Sequence, residues 1–463
     1  MQQPTGPAKL SQRPTSPSLT DRFAILETAY QRIEAERHRN CWIHVRPKDE
    51  AIAACSALIE RARNGEHFPL LGVPFGVKDN IDVAGMPTTA ACASFSYTPT
   101  QSAVSVERLT AAGAICLGKT NLDQFATGLS GARSPYGACG SVADIAYVSG
   151  GSSSGSAVVV AAGHVAFSLG TDTGGSGRIP AGFNGIVGVK PTIGLVSSRG
   201  LVPNCPTLDC VSIFANSVED GRQILDIVKG YDPADPYSRI RPAQTPRVAR
   251  PFAFGRLRAE DIETFGMPEC ADLYEQACAR VSALGGRPVA VDFAPFIEAG
   301  KMLFSGPWIA ERVSAIRELI DIEQGSLLDV TRNVLRSAGQ FSAADAFAAQ
   351  HRLLRLRRAV SSAFEHFELL VVPTAPRPYT IAEMSADPIT LNSHLGYYSY
   401  FANLLDLCGI AIPNGVLSNG VPMGVTLLAP AWADDALMTH AQRLSPVEIG
   451  TSFGLTVYSD AAR

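Results

Sequence analysis

The sequence lacks the marks of several large protein classes. Its 463 residues contain no run of 18 or more apolar positions, so nothing in it reads as a membrane-spanning helix. The opening stretch MQQPTGPAKLSQRPTSPSLT has no apolar core, which argues against a secretory leader. Ten cysteines are scattered without one C-x-x-C pair, and eight histidines form neither an H-x-x-x-H spacing nor a Cys/His cluster. Neither a metal nor a cofactor is therefore expected. The cysteines read instead as free, small core residues of a reducing, cytoplasmic compartment. Net charge is −4, with no basic excess, so neither nucleic acid nor an anionic membrane surface is an expected partner. No internal repeat is present.

Apolar residues, by contrast, are plentiful. At 46% hydrophobic and 18% charged, the chain can bury a large core. Residues 1–20, rich in Pro, Ser, Thr and Gln, are expected to be a disordered tail, 21–445 the folded unit, and 446–463 an extension. Helical periodicity marks 21–37, with Ile25, Leu26, Tyr30 and Ile33 on one face. A second helix is expected over 49–65, closed by Gly65. LLGVPFGVKDN (70–80) reads as a buried strand. Helix 105–113 precedes strand 114–121, and helix 154–163 precedes strand 164–173. LLVVPTAP (369–376) is a further buried strand, and the Pro- and Arg-rich stretch 230–255 is a long loop. Apolar strands alternating with helices predict an α/β fold: a large mixed, mainly parallel central sheet covered by helices on both faces.

Two small-residue tracts flank one apolar segment: SGGSSSGS (149–156), the run AVVVAAG, and then TDTGGSGR (171–178). Gly/Ser tracts are ordinarily flexible connectors. A connector does not sit between segments that must be buried in one core, so these read as places where backbone approaches backbone. Three polar features then fall at the ends of expected buried strands, where open α/β sheets bind ligands: Lys78, Ser152 and Ser176. A lysine following the apolar run GVPFGV is a candidate for desolvation, which lowers its pKa and frees it as a base. A serine among glycines can face backbone N–H groups, as an oxyanion hole requires. A Ser–Lys form of nucleophilic catalysis needs these parts and no histidine. His164, at a helix-to-strand junction, reads as structural. Asp172 and Arg178 read as partners that fix the loop. GTDTGGSG is followed by no Walker lysine, so a phosphate loop is disfavoured.

GVPFGVKDNIDVAG, GKTNLDQFATG, SGGSSSGSA and GTDTGGSGRIPAGFNGIVGVKPT together resemble the amidase signature family. The resemblance is strongest over about 70–215 and extends over about 21–445. It implies a Lys–cis-Ser–Ser triad. Carried over, these are Lys78, Ser152 and Ser176, with the 24-residue spacing choosing Ser152 over Ser153 and Ser154. It also implies an oxyanion hole from the N–H groups of Thr173, Gly174 and Gly175, with Ser176 a further candidate.

Within that family, CWIHVRPKDEAIA, GLSGARSPYGAC, VPNCPTLDCVSIFA, KMLFSGPWIAERVSAI and PITLNSHLGYYSYFANLLDLCGIAIP resemble the amidase domain of allophanate hydrolases. This implies a small urea-type amide substrate, with Arg312 holding its carboxylate and Gly128 and Phe304 also binding substrate. Three departures stand out. Phe304 occupies a position where the subgroup has tyrosine. Gly174 stands where Ala is common. The chain also stops where many relatives continue into a further domain, so it is either an amidase-only form or one whose function has drifted. Two alternatives stay open: an amidase for another small amide, such as biuret or malonamate, and a subunit of an amidotransferase complex. The resemblance further implies a homodimer and a link to urea carboxylation or to s-triazine and biuret degradation.

Overall fold

The structure is a computed structural model, and it describes residues 21–243, 245, 251–322 and 326–445. The expectations placed on 1–20 and 446–463 lie outside the described residues. Eleven strands form one sheet: β1 (Trp42–Val45), β2 (Pro74–Lys78), β3 (Ile115–Thr120), β4 (Phe167–Asp172), β5 (Val187–Lys190), β6 (Cys210–Ala215), β7 (Phe252–Arg256), β8 (Gly286–Ala290), β9 (Leu369–Pro373), β10 (Leu407–Val416) and β11 (Pro422–Pro430). Their spatial order is β1-β3-β2-β4-β6-β5-β10-β11-β9-β7-β8.

The sheet is mixed, as the alternation of strands and helices predicts, but it is not mainly parallel. Parallel pairing is confined to β3-β2-β4 and β9-β7-β8, and the other six of ten pairings are antiparallel. The apolar runs easiest to read in the sequence, β2, β3 and β4, all lie in the first parallel block. In the middle of the sheet, β10 turns back into β11 through the short connection between Val416 and Pro422, and a short turn can join only antiparallel neighbours.

Both faces of the sheet are covered. On β3, Ile115 and Leu117 enter one apolar cluster while Cys116 enters another, the alternation a pleated strand imposes. The first cluster includes α1 (Asp21–Ala35), α2 (Lys48–Arg63) and, after α3 (Val104–Ala111), α4 (Ser154–Ala161). On α1 the buried apolar stripe is Leu26, Ala29 and Ile33, while Ile25 and Tyr30 are only half-buried. Every residue from Ser154 to Val160 is buried, which is why AVVV shows no amphipathic stripe: that helix has no wet side. Its serines cost little there because they are bonded. Ser156 donates to Leu169 O at 2.9 Å and lies 2.7 Å from the Thr120 hydroxyl. The second cluster takes in α3, the short α5 (Ile179–Phe183), α6 (Val218–Val228), α7 (Glu269–Ala283), α8 (Ala294–Phe304) and α9 (Trp308–Ile316). Of the stretch 230–255, residues 244 and 246–250 lie outside the described residues, and the last residues open β7 rather than belonging to a loop. There Phe252 and Phe254 face inward, in a five-residue strand masked by the Pro- and Arg-rich composition before it.

β2 and β4 are parallel neighbours with Val77 opposite Leu169, so their C-terminal ends emerge side by side. Lys78 is the last residue of one and Asp172 the last residue of the other. α4 packs against both strands and brings the preceding serine tract to the same edge.

Candidate active site

Lys78, Ser152 and Ser176 form a continuous chain of contacts. Lys78 Nζ lies 2.8 Å from Ser152 Oγ, and Ser152 Oγ lies 3.0 Å from Ser176 Oγ. Lys78 Nζ also donates to Thr171 Oγ1 at 2.7 Å. Lys78 and Ser152 are fully buried, and Ser176 is 4% exposed. Burial pushes the Lys78 ammonium down from 10.5 to about 7, while Asp123, Asp209 and Asp172 pull in the other direction. A hydroxyl can donate or accept, so a proton from Ser176 can pass through Ser152 to a neutral Lys78.

The peptide bond between Gly151 and Ser152 is cis. Ser153 and Ser154 face elsewhere: Ser153 donates to Thr171 O at 3.0 Å, and Ser154 to Asn121 O at 3.4 Å. The neighbouring loop is held by Asp123, whose carboxylate accepts the N–H groups of Ser130, Gly131 and Arg133. Asp123 N–H in turn donates to Ser152 O at 3.1 Å, and Gly151 N–H to Leu129 O at 2.7 Å. A Cβ at Gly151 would collide with the Asp123 carboxylate, so only glycine fits there.

The second tract wraps around Asp172. Its carboxylate accepts Arg178 Nε at 2.9 Å and Arg178 Nη2 at 3.0 Å, an ion pair with no exposure on either side. Burial raises this carboxyl, but Arg178, Lys190 and the Gly177 N–H together hold the group below the usual aspartate value. Asp172 also accepts the N–H groups of Gly175 and Gly177, each at 2.9 Å. Gly175 N–H, one of the expected oxyanion donors, therefore closes the turn onto Asp172 Oδ1. Among the described residues the N–H groups of Thr173, Gly174 and Ser176 make no hydrogen bond. Thr173 is fixed through its hydroxyl, which donates to Asp209 Oδ1. Gly174 is bare of side chain because a Cβ there would meet Leu303 and lie 3.1 Å from Tyr400 Cδ1. That packing accounts for glycine at this position.

Arg312, on α9, is 1% exposed, and its Nε and Nη1 have no hydrogen-bond partner. Its guanidinium lies over the Phe304 ring, 4.6 Å from the centroid, and Phe304 packs on Tyr400 at 4.8 Å. Without a hydroxyl, the residue at 304 offers an aromatic face to a cation instead of a hydrogen bond. Gly128 lies where a Cβ would come 2.6 Å from Asp123 Oδ2 and 3.0 Å from Arg133 Cδ. His164 is remote from the serines in function: its ring bonds Glu36 at 3.1 Å and Trp42 at 3.2 Å. All ten cysteines are buried and free.

Several residues that shape this site carry no signal of their own in the sequence: Thr171, Asp123, Asp209, Arg133, Asn392, Ser399 and Tyr400. Asn392 Oδ1 accepts Leu129 N–H at 2.8 Å, and Ser399 donates to Gly174 O at 2.8 Å, from a segment more than 220 residues away. Their only trace in the sequence is that the stretches holding them, 118–128, 128–139, 171–178, 202–215 and 388–413, stand out as wholes.

The Amidase family profile matches residues 24–438, and the chain belongs to that family. Among individual relatives, the urea amidolyase of Saccharomyces cerevisiae is 41% identical over 412 residues, 87% of this chain and 22% of that protein. The chain thus spans about a fifth of the curated urea amidolyases it matches. The allophanate hydrolase of Kluyveromyces lactis superposes with a TM-score of 0.87 at 39% identity, over 92% of this chain and 70% of its own. A glutamyl-tRNA(Gln) amidotransferase subunit of Synechococcus elongatus is 33% identical over 450 residues, 90% of this chain and 92% of that one. Among the described residues no helix is long and apolar enough to cross a membrane.

Proposed function

We propose that this chain hydrolyses a small urea-type amide bearing a carboxylate, with allophanate the best fit. The observation that carries the reading is the uninterrupted path from Ser176 Oγ through Ser152 Oγ to a buried Lys78, with a buried Arg312 that has unpartnered donors in the same region. Likeness to urea amidolyase and allophanate hydrolase over most of this chain supports the choice of substrate.

In this mechanism Ser176 attacks the terminal carbonyl of allophanate while its proton passes to Ser152 and the Ser152 proton passes to Lys78. The tetrahedral oxyanion is held by the N–H groups of Thr173, Gly174 and Ser176. Collapse breaks the bond to the terminal nitrogen, which takes the relayed proton and leaves as ammonia. A water molecule, deprotonated through the same relay, cleaves the acyl-enzyme, releases N-carboxycarbamate and restores Ser176. Arg312 pairs with the substrate carboxylate. Such a substrate must be supplied by N-carboxylation of urea or by hydrolysis of a biuret-type amide. We place the enzyme in the cytoplasm, where ten free thiols are stable.

A second reading, another small amide such as biuret or malonamate, is favoured by Phe304 alone. Ammonia release from allophanate, biuret, malonamate and urea separates the two. Charge-assisted bonds worth about 1.5–3 kcal/mol predict a kcat/KM for allophanate about 10- to 150-fold above that for biuret, and a matching KM increase in Arg312→Ala. Turnover of allophanate no faster than the neutral amides, or an unchanged KM in Arg312→Ala, refutes the assignment.

A further inference from the structure

Arg312 is not the only buried guanidinium here without a carboxylate of its own. Arg133 is 3% exposed, and its Nε has no hydrogen-bond partner. Its Nη1 donates to Thr127 O at 2.9 Å and its Nη2 to Pro388 O. The acid nearest in the chain, Asp123, is occupied by the N–H groups of Ser130, Gly131 and Arg133. The buried Arg178, by contrast, lies directly against Asp172.

Arg133 belongs to the same end of the site as Arg312. Its Cδ stands against Gly128. The residue after that glycine, Leu129, bonds both the cis-serine tract, through Gly151 N–H, and Asn392. Asn392 Nδ2 donates to Tyr400 Oη at 3.2 Å, and Tyr400 Oη donates to Asn392 O at 3.1 Å. The Tyr400 ring packs on Phe304, the ring beneath Arg312. Burial pulls the Arg133 guanidinium below its ordinary value despite the attraction of Asp123 and Tyr400, and the charge of Arg312 pulls it further the same way.

Two buried cations that repel each other and leave three nitrogens without a hydrogen-bond partner are costly to fold unless something negative completes them. We propose that Arg133 is a second anion-binding residue, placing its Nε–H on the carboxylate of the substrate that Arg312 holds from the other side. Tyr400 and Asn392 are positioning residues that keep the Arg133 loop and the Phe304 platform in register. This rests on the proposed function and deepens it: selectivity for an anionic amide over its neutral isostere is shared between two arginines.

The test is the ratio of KM for biuret to KM for allophanate, which differ in carboxamide against carboxylate. Arg133→Gln removes the charge and is expected to lower that ratio about 10-fold or more by raising KM for allophanate alone, with kcat within about 3-fold. Because Arg133 also ties Thr127 to Pro388, Arg133→Lys serves as the second variant. It keeps the stem and the charge but has no Nε–H, and is expected to lower the ratio about 3- to 10-fold. A merely structural role would lower kcat or thermal stability and move both substrates together. An unchanged ratio in Arg133→Lys, with the ratio still falling in Arg312→Ala, overturns this inference and leaves the proposed function standing. A wild-type enzyme with no preference for allophanate overturns both.

Discussion

The titration of Lys78 sets the sharpest requirement on the proposed chemistry. A lysine with the ordinary value of 10.5 would be neutral at pH 7 in only about one molecule in 3,000. With its value at about 7, about half the molecules carry a free base. Burial therefore raises the reactive fraction about a thousandfold, equivalent to about 5 kcal/mol of preference for the amine. The expected kcat/KM profile rises with pH along a limb whose midpoint lies near 7. Lys78→Ala removes the base and is expected to lose about 10²–10⁴ in rate together with that limb. Lys78→Arg keeps a permanent cation and is expected to be equally impaired. The sign of the stability change follows from the same shift. Between about pH 7 and 10.5 the unfolded chain binds the proton and the folded one does not, so stability rises with pH across that window. Below about pH 7 the full cost of the buried ammonium is present. Lys78→Met lacks this dependence, and its denaturation midpoint should gain less than that of the wild type between about pH 7 and 9. The assays are initial ammonia release and denaturation at matched ionic strength. A rate limb centred at about pH 9 or above, or one that persists near pH 7 in Lys78→Ala, refutes the reasoning.

Thr171→Val removes the second acceptor of Lys78 Nζ. The ammonium loses more than the amine does, so the acid limb should move to lower pH, with a rate loss of about 3- to 10-fold from a less firmly held base. Asp172→Asn leaves Arg178 buried without its anion and is expected to cost about 3–5 kcal/mol, read as a lower denaturation midpoint. Adding Arg178→Met should recover part of that loss, and a double variant less stable than the single one counts against the ion-pair account. Gly174→Ala forces a methyl against Leu303 and is expected to cost about 1–3 kcal/mol, with Leu303→Val in the same chain restoring much of it. Additive losses would show that the two side chains do not meet.

Some of this can be read in order along the chain and some cannot. Lys78 is legible because a strand buried on both faces ends in a charge, and Ser152 and Ser176 because glycine-rich tracts interrupt core segments and match a family spacing. Arg312 is legible only through that resemblance, since a helix arginine is ordinarily exposed. That Gly175 N–H bonds Asp172 is not legible, because the spacing of glycines does not reveal which N–H group a neighbouring carboxylate will take. The parallel character of the sheet is overestimated from sequence because β2, β3 and β4 announce themselves by composition while their antiparallel neighbours do not.

The α/β class, the burial of the central segments and the chemical identity of the relay follow from the amino-acid order itself, because burial patterns and residue types are local properties. Which groups face one another is fixed only by folding. Thr171 meets Lys78 because β2 and β4 run side by side, Ser399 reaches Gly174 across more than 220 residues, and Arg133 joins the region of Arg312 through Asn392 and Tyr400. Partners so distant in sequence leave no periodic trace, and whether a buried cation is paired or left waiting for an anion is settled only when the chain has closed around it.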